Sequence, residues 1–164
     1  MHPPAQSSAQ PSPTLVGWRE WVSLPGSGVD WLKAKIDTGA RTSALHAFDV
    51  QQFRRDDAPW VRFQVHPWQT SAKDAKIVEL PVKDTRVIRS SNGSAQPRLV
   101  VAMPLSLAGR QIEAEVTLTD RDEMGFRMLI GREALGQGFL VDPAASYLGG
   151  LAPKAVRRRN WGKR

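Results

Sequence analysis

Lys33-Ala34-Lys35-Ile36-Asp37-Thr38-Gly39-Ala40 is the stretch on which the fold turns, because a strand-like run, Val29 to Ile36, leads directly into Asp-Thr-Gly. A carboxylate at a strand end beside a glycine turn can be approached closely by backbone and by ligand, since Gly39 carries no side chain. Thr38 adds a hydroxyl that can lock the loop against a neighbour. Alone, the triplet is a weak signal: an ordinary Asx turn after a strand has the same letters.

Working outward, short apolar runs bounded by turn residues favour strands over helices. The candidates are Leu15 to Leu24, Val29 to Ile36, Trp60 to Val65, Lys76 to Val82, Thr85 to Ser90, Arg98 to Leu107 and Gln111 to Thr119. Turn chemistry separates them at Pro25-Gly26-Ser27-Gly28, Ser91-Asn92-Gly93 and Ala108-Gly109-Arg110. The pattern predicts a meander of antiparallel strands. One helix is expected, Arg132 to Leu135 between Gly131 and Gly136, then a strand at Phe139-Leu140-Val141 closed by Pro143.

About ninety residues after Asp37 comes Met128-Leu129-Ile130-Gly131-Arg132-Glu133-Ala134-Leu135, a large apolar run, a glycine and a short helix. By itself Leu129-Ile130-Gly131 is a generic core strand. In order after Asp-Thr-Gly-Ala, it resembles the retropepsin family, in which such a strand end packs beneath the active-site loop. Four phrases carry a closer resemblance, to a bacterial retropepsin-like branch labelled ATP-dependent zinc proteases and associated with ATP-grasp glutamate ligases. They are Lys33 to Ala47, Leu118-Thr119-Asp120-Arg121 with Met124, Met128 to Arg132, and Leu140-Val141-Asp142-Pro143, spanning about residues 15 to 150.

The resemblance implies a mostly β fold: a retropepsin-like (acid protease) closed β-barrel with one short C-terminal helix, working as a homodimer. It implies two carboxylates around one water, one protonated and one acting as base, because like charges so close cannot both ionise. The chain has one Asp-Thr-Gly and no Asp-Ser-Gly, so the expected partner of Asp37 is Asp37 of a second copy, with Thr38 bracing the pair across the axis. Asp120 is the rival second acid, although no glycine follows it and charged neighbours point to a solvated loop. The expected catalytic set is Asp37, Thr38 and Gly39. Ala40, Arg41, Asn92, Gly93 and Arg132 are the expected substrate-binding set.

Asn92 and Gly93 enter because retropepsins cover the cleft with a glycine-tipped hairpin, here Thr85 to Arg98; Gln69 to Asp74 is the alternative tip. Arg41 stands where viral retropepsins place an acid, and Arg132 keeps the family's basic residue. A cation beside the cleft would draw in carboxylates, which points to an acidic or Glu-rich peptide substrate. The structural alternative is that Arg41 pairs with Glu133 or Asp49. Zinc fits the residues poorly: His2, His46 and His66 are the only histidines and no His-Glu-x-x-His occurs. His46 reads as a packed or capping residue, and the only metal set to be drawn from it, with Asp37 and Asp49, is poor. No phosphate-loop motif is present, so ATP use would belong to a partner. No metal and no cofactor is expected.

With no cysteine among 164 residues, disulfides, thiolate metal sites and thiol nucleophiles are excluded. Neither a membrane-length apolar run nor a secretory signal is present, so a soluble, cytoplasmic protein is expected. Residues 1–13 hold four prolines, three serines and no Asp, Glu, Lys or Arg, which predicts a disordered leader before a domain at 14–150. The net charge of +7 is mostly a tail at 151–164: six of 23 Lys and Arg lie there, leaving residues 14–153 with 17 basic and 16 acidic groups. Nucleic-acid binding is therefore expected, if anywhere, only through that tail. A non-catalytic peptide- or partner-binding module on the same scaffold is the alternative to an enzyme.

Overall fold

The computed structural model describes residues 12–69, 71–89, 93–120 and 125–161. Most of the expected leader, Asn92, Arg121, Met124, Lys163 and Arg164 fall outside them.

The elements run β1 (Thr14–Val16), β2 (Arg19–Leu24), β3 (Val29–Ile36), β4 (Ser43–His46), β5 (Phe48–Arg55), β6 (Ala58–Val65), β7 (Lys76–Pro81), β8 (Asp84–Arg89), β9 (Ala95–Leu107), β10 (Arg110–Thr119), β11 (Met128–Ile130), α1 (Arg132–Leu135), β12 (Phe139–Val141) and α2 (Lys154–Asn160). The mostly β expectation holds. Seven strands form one sheet in the order β10-β4-β11-β3-β2-β9-β8, and β10 also pairs with β9, so the pairings of six strands run in a circuit. β5, β6 and β7 form a separate three-stranded sheet, and β1 pairs with β12.

Three expectations are corrected. The sheet is not a purely antiparallel meander: β10 with β4, β11 with β3 and β1 with β12 are parallel. The cause is the position of β11, which inserts between β3 and β4, parallel to one and antiparallel to the other. Leu15 to Leu24 is two strands, because the chain passes under residue 145 at Gly17, where a Cβ would lie 2.2 Å from the Ala145 carbonyl oxygen. Among the described residues there are two helices, not one: the basic segment forms α2, whose Asn160 is buried and accepts a hydrogen bond from the Gln69 N–H at 2.9 Å.

The main sheet and the three-stranded sheet share a core. Leu32, Leu45, Met103, Leu107 and Ile130 meet Val61 and Phe63 of β6 there, all completely withdrawn from water. Burying one such side chain contributes about 1.5–3 kcal/mol. Along β3, Leu32, Ala34 and Ile36 face inward, which leaves Lys33 and Lys35 on the opposite face and aims Asp37 off the end of a central strand.

Candidate active site

The Asp37 loop is held from below by β11 and α1. The Asp37 N–H donates to the Ile130 carbonyl at 2.9 Å, extending the β3–β11 ladder by one residue. A helix start leaves its first N–H groups without intrahelical partners. Here two of them are satisfied by the loop: Arg132 N–H donates to the Ala40 carbonyl at 2.7 Å and Glu133 N–H to the Arg41 carbonyl at 3.0 Å. Gly131 N–H donates to the Ser43 hydroxyl at 3.0 Å, and a Cβ at Gly131 would sit 2.7 Å from the Thr42 backbone. The glycine after the apolar run is thus required by close approach, not by a left-handed backbone.

Within the loop, Asp37 Oδ1 accepts the Gly39 N–H at 2.9 Å. The Asx turn is present, and it fixes one carboxylate oxygen while the side chain stays partly exposed. The loop opens on a cavity of about 720 Å³, lined on one side by Asp37, Gly39, Ala40 and Arg41 and on the other by the β8–β9 hairpin through Arg86, Val87, Ile88, Arg89 and Arg98. Among the described residues that line it, Asp37 is the only acid, against five Lys and Arg.

The other expected residues are placed differently. Thr38 is exposed and its carbonyl accepts from Arg132 Nη1 at 3.3 Å, so Arg132 braces the loop and does not line the cavity. Arg41 realises the structural alternative: its Nε lies 2.6 Å from Glu133 Oε1, on an exposed pair. Gly93, at φ +87°, belongs to the hairpin that faces the cavity but is not among the lining residues; Asn92 lies outside the described residues. Of the two hairpin candidates, β8–β9 walls the cavity, while no described residue of 69–74 is among those that line it; Trp68 Nε1 donates to Asp74 Oδ2 at 2.7 Å. Asp120 is exposed and lines an adjoining cavity of about 380 Å³ with Arg98.

Sequence reasoning passed over Lys35, Arg86, Arg89 and Arg98. Arg86 is firmly positioned, donating to Glu115 at 2.8 Å and Asp84 at 3.1 Å. Its hydrogen bonds to the Glu115 and then the Asp84 carboxylates hold its guanidinium pKa above the usual value. Glu115 is shifted the other way, below the usual carboxylate range, by hydrogen bonds from Lys83 and Arg86.

His46 is a packed residue. It is buried, its ring stacks on Phe48 at 4.2 Å, Phe48 stacks on His66 at 3.6 Å, and Arg127 Nη1 lies 3.1 Å from His46 Nδ1. Because a guanidinium can only donate, that contact makes Nδ1 an acceptor. Burial, then Arg127 and His46, push the His66 pKa below its ordinary value. Among the described residues no three His, Asp or Glu side chains gather as metal ligands. No helix among them is long and apolar enough to cross a membrane.

Comparison with known proteins accords with this arrangement. Residues 15–150 match a family model described as RimB-like, retropepsin-like aspartic endopeptidase RimB. A protein of Shewanella pealeana named probable alpha-L-glutamate ligase is 47% identical over 133 residues, covering 81% of this chain and 29% of the relative. One of the same name from Desulfotalea psychrophila is 42% identical over 130 residues, covering 79% of this chain and 28% of the relative. The chain spans less than a third of the length of these curated relatives. It is also similar to a crystal structure of a protein of unknown function from Legionella pneumophila, with TM-score 0.70 and 25% identity over 83% of this chain and 98% of that one. An Asp-Thr-Gly loop seated on an apolar-apolar-Gly strand end, within a match that covers nearly the whole described chain, makes this protein a member of the RimB-like family of retropepsin-like aspartic endopeptidases.

Proposed function

We propose that the chain is an aspartic endopeptidase that works as a homodimer, each catalytic centre using Asp37 from both copies. The observation that carries this reading is the placement of Asp37: at the end of a central strand, fixed from below through Ile130 and Gly131, facing a cavity walled by a hairpin. The circuit of strand pairings supports a closed barrel beneath it. Among the described residues the cavity of one chain is lined by a single acid, which supports a second carboxylate supplied by two-fold symmetry. The exposure of Thr38 leaves its side chain available at such an axis.

In the shared site one carboxyl is protonated and its partner ionised, and the pair titrates as a unit. The ionised Asp37 takes a proton from the water as that water attacks the peptide carbonyl. The protonated one donates to the carbonyl oxygen, and the proton reaches the leaving amine as the C–N bond breaks.

The cationic wall supports an acidic, Glu-rich peptide as substrate. Relatives named as glutamate ligases, of which this chain matches under a third, support a functional link to an ATP-grasp glutamate ligase. The lack of cysteine supports a cytoplasmic setting. Replacement of Asp37 by Asn tests the reading: cleavage of Glu-rich peptides by the purified protein is expected to fall by about a thousandfold or more, with the melting temperature preserved. Unchanged cleavage would remove Asp37 from the chemistry. The single acid in the cavity also favours a second reading, a peptide-binding module that acts without cleavage; it predicts no hydrolysis by the native chain and binding that survives Asp37→Asn.

A further inference from the structure

We infer that α2 is an exosite: a fixed basic surface beside the Asp37 cavity that captures an acidic stretch of the polypeptide whose neighbouring residues enter the cavity, an assignment that rests on reading the cavity as a substrate cleft. Residues 143–164 contain no acid, and the basic part of that segment is a docked helix instead of a loose tail. Ala152 and Asn160 are buried and Val156 between them is half-buried, a spacing of four that makes one inward stripe. Lys154, Arg159 and Trp161 are exposed. Docking therefore holds the cations in a set array.

That array carries charge that the fold does not offset. Among the described residues no carboxylate meets Lys154, Arg157 or Arg159; the Arg159 guanidinium lies over the Trp68 ring at 5.5 Å. Lys154 and Arg157 are three apart, a spacing at which like charges destabilise a helix. An acidic ligand removes that cost.

The position of the helix points to what binds it. Trp161 lies 4.7 Å from the Lys33 ammonium. Lys33 and Lys35 are two apart on β3, so they share a face and are separated by about 7 Å. Lys35 lines the Asp37 cavity and pairs across β2 with Arg19, and Arg19 and Lys33 both lie against Tyr147, at 5.0 and 5.9 Å. Cations thus follow one another from the cavity to the end of α2. An extended chain rises about 3.3 Å per residue, so a peptide seated in the cavity reaches the helix within a handful of further residues. A surface continuous with a peptide cleft and of this charge fits an acidic polypeptide.

Two labelled Glu-rich peptides of different length test this. One of about six residues fills the cavity only, and one of about sixteen extends past it. Each is titrated against the Asp37→Asn protein by fluorescence anisotropy. The long peptide is expected to bind about tenfold tighter, because its two contacts act together. Joint replacement Lys154→Gln and Arg159→Gln is expected to remove most of that advantage, to flatten its salt dependence and to leave the short peptide's Kd unchanged. Arg62→Gln, on the three-stranded sheet, leaves both peptides as they were. The exosite is ruled out if the long peptide has no advantage, if the advantage survives the double replacement, or if Arg62→Gln reduces it equally. It is also ruled out as a peptide surface if single-stranded DNA of matched charge binds as tightly as the long peptide and is lost with the same two residues. Cleavage by the chain with native Asp37 keeps the two readings apart. Long-peptide binding that depends on α2 without any cleavage keeps the exosite and ends the peptidase reading; cleavage of the long peptide that is indifferent to the double replacement does the reverse.

Discussion

Gly131 shows how a single missing side chain holds the candidate site together. Its φ of −94° is open to any residue, so conformational freedom is not what the position requires. Space is the requirement: a methyl group there would meet the Thr42 carbonyl at 2.7 Å and the Ala40 carbonyl oxygen at 3.0 Å, both backbone atoms of the Asp37 loop. Gly131→Ala is therefore expected to destabilise the fold by about 1–3 kcal/mol in urea unfolding and to lower whatever cleavage or binding Asp37 supports. Gly136→Ala, with its nearest atom at 3.4 Å, is the control that stays close to the parent. A loss no larger at 131 than at 136 would refute the packing argument. The grouping of Asp37 with Gly131 was legible in the sequence because the two phrases are local and ordered. Arg86 and Arg98 were not, since their meeting depends on hairpin register. That register was within reach: pairing centred on Asn92 sets 86 against 98, but only once the strands are taken as two arms of one hairpin.

Strands with clear alternation were readable as strands, and those without it were not. β4 is buried along its whole length, Ser43 to His46, and so has no period of two. β5 is the opposite case, mostly exposed and rich in Gln and Arg, and reads as loop. Strand partners were harder still, because β11 pairs across ninety residues and no local pattern records that. α2 was read by its charge alone, although Pro153 stands where a helix can start. What holds α2 is not its charge. Asn160 binds the Gln69 backbone, and Trp161, just past the helix, lies 4.7 Å from the ammonium of Lys33, a residue of β3 whose pKa is lowered by burial and then by Arg19. Replacing Asn160 with Ala removes the acceptor of a part-buried N–H and should cost about 1–3 kcal/mol of stability by thermal or chemical denaturation. Arg158→Ala, on the exposed side, should cost well under that. Equal effects would mean that α2 does not depend on this anchor.

At the scale of the whole molecule, the described residues of one chain present a cavity lined by a single acid and five cations, while aspartic chemistry needs two carboxylates about one water. Mixing separates a shared centre from one that each chain completes alone. If every centre takes Asp37 from both copies, a mixed dimer of native and Asp37→Asn chains is dead. With free exchange, an equal amount of Asp37→Asn protein then cuts the total activity of a fixed amount of native chain to about half, and a threefold excess cuts it to about a quarter. Native mass spectrometry confirms that exchange has occurred, and peptide cleavage reads the result. Activity unmoved by the excess, in a mixture shown to have exchanged, would mean that the second carboxylate comes from within the chain. Attention would then shift to Asp120, which lies in the cavity joined to this one at Arg98.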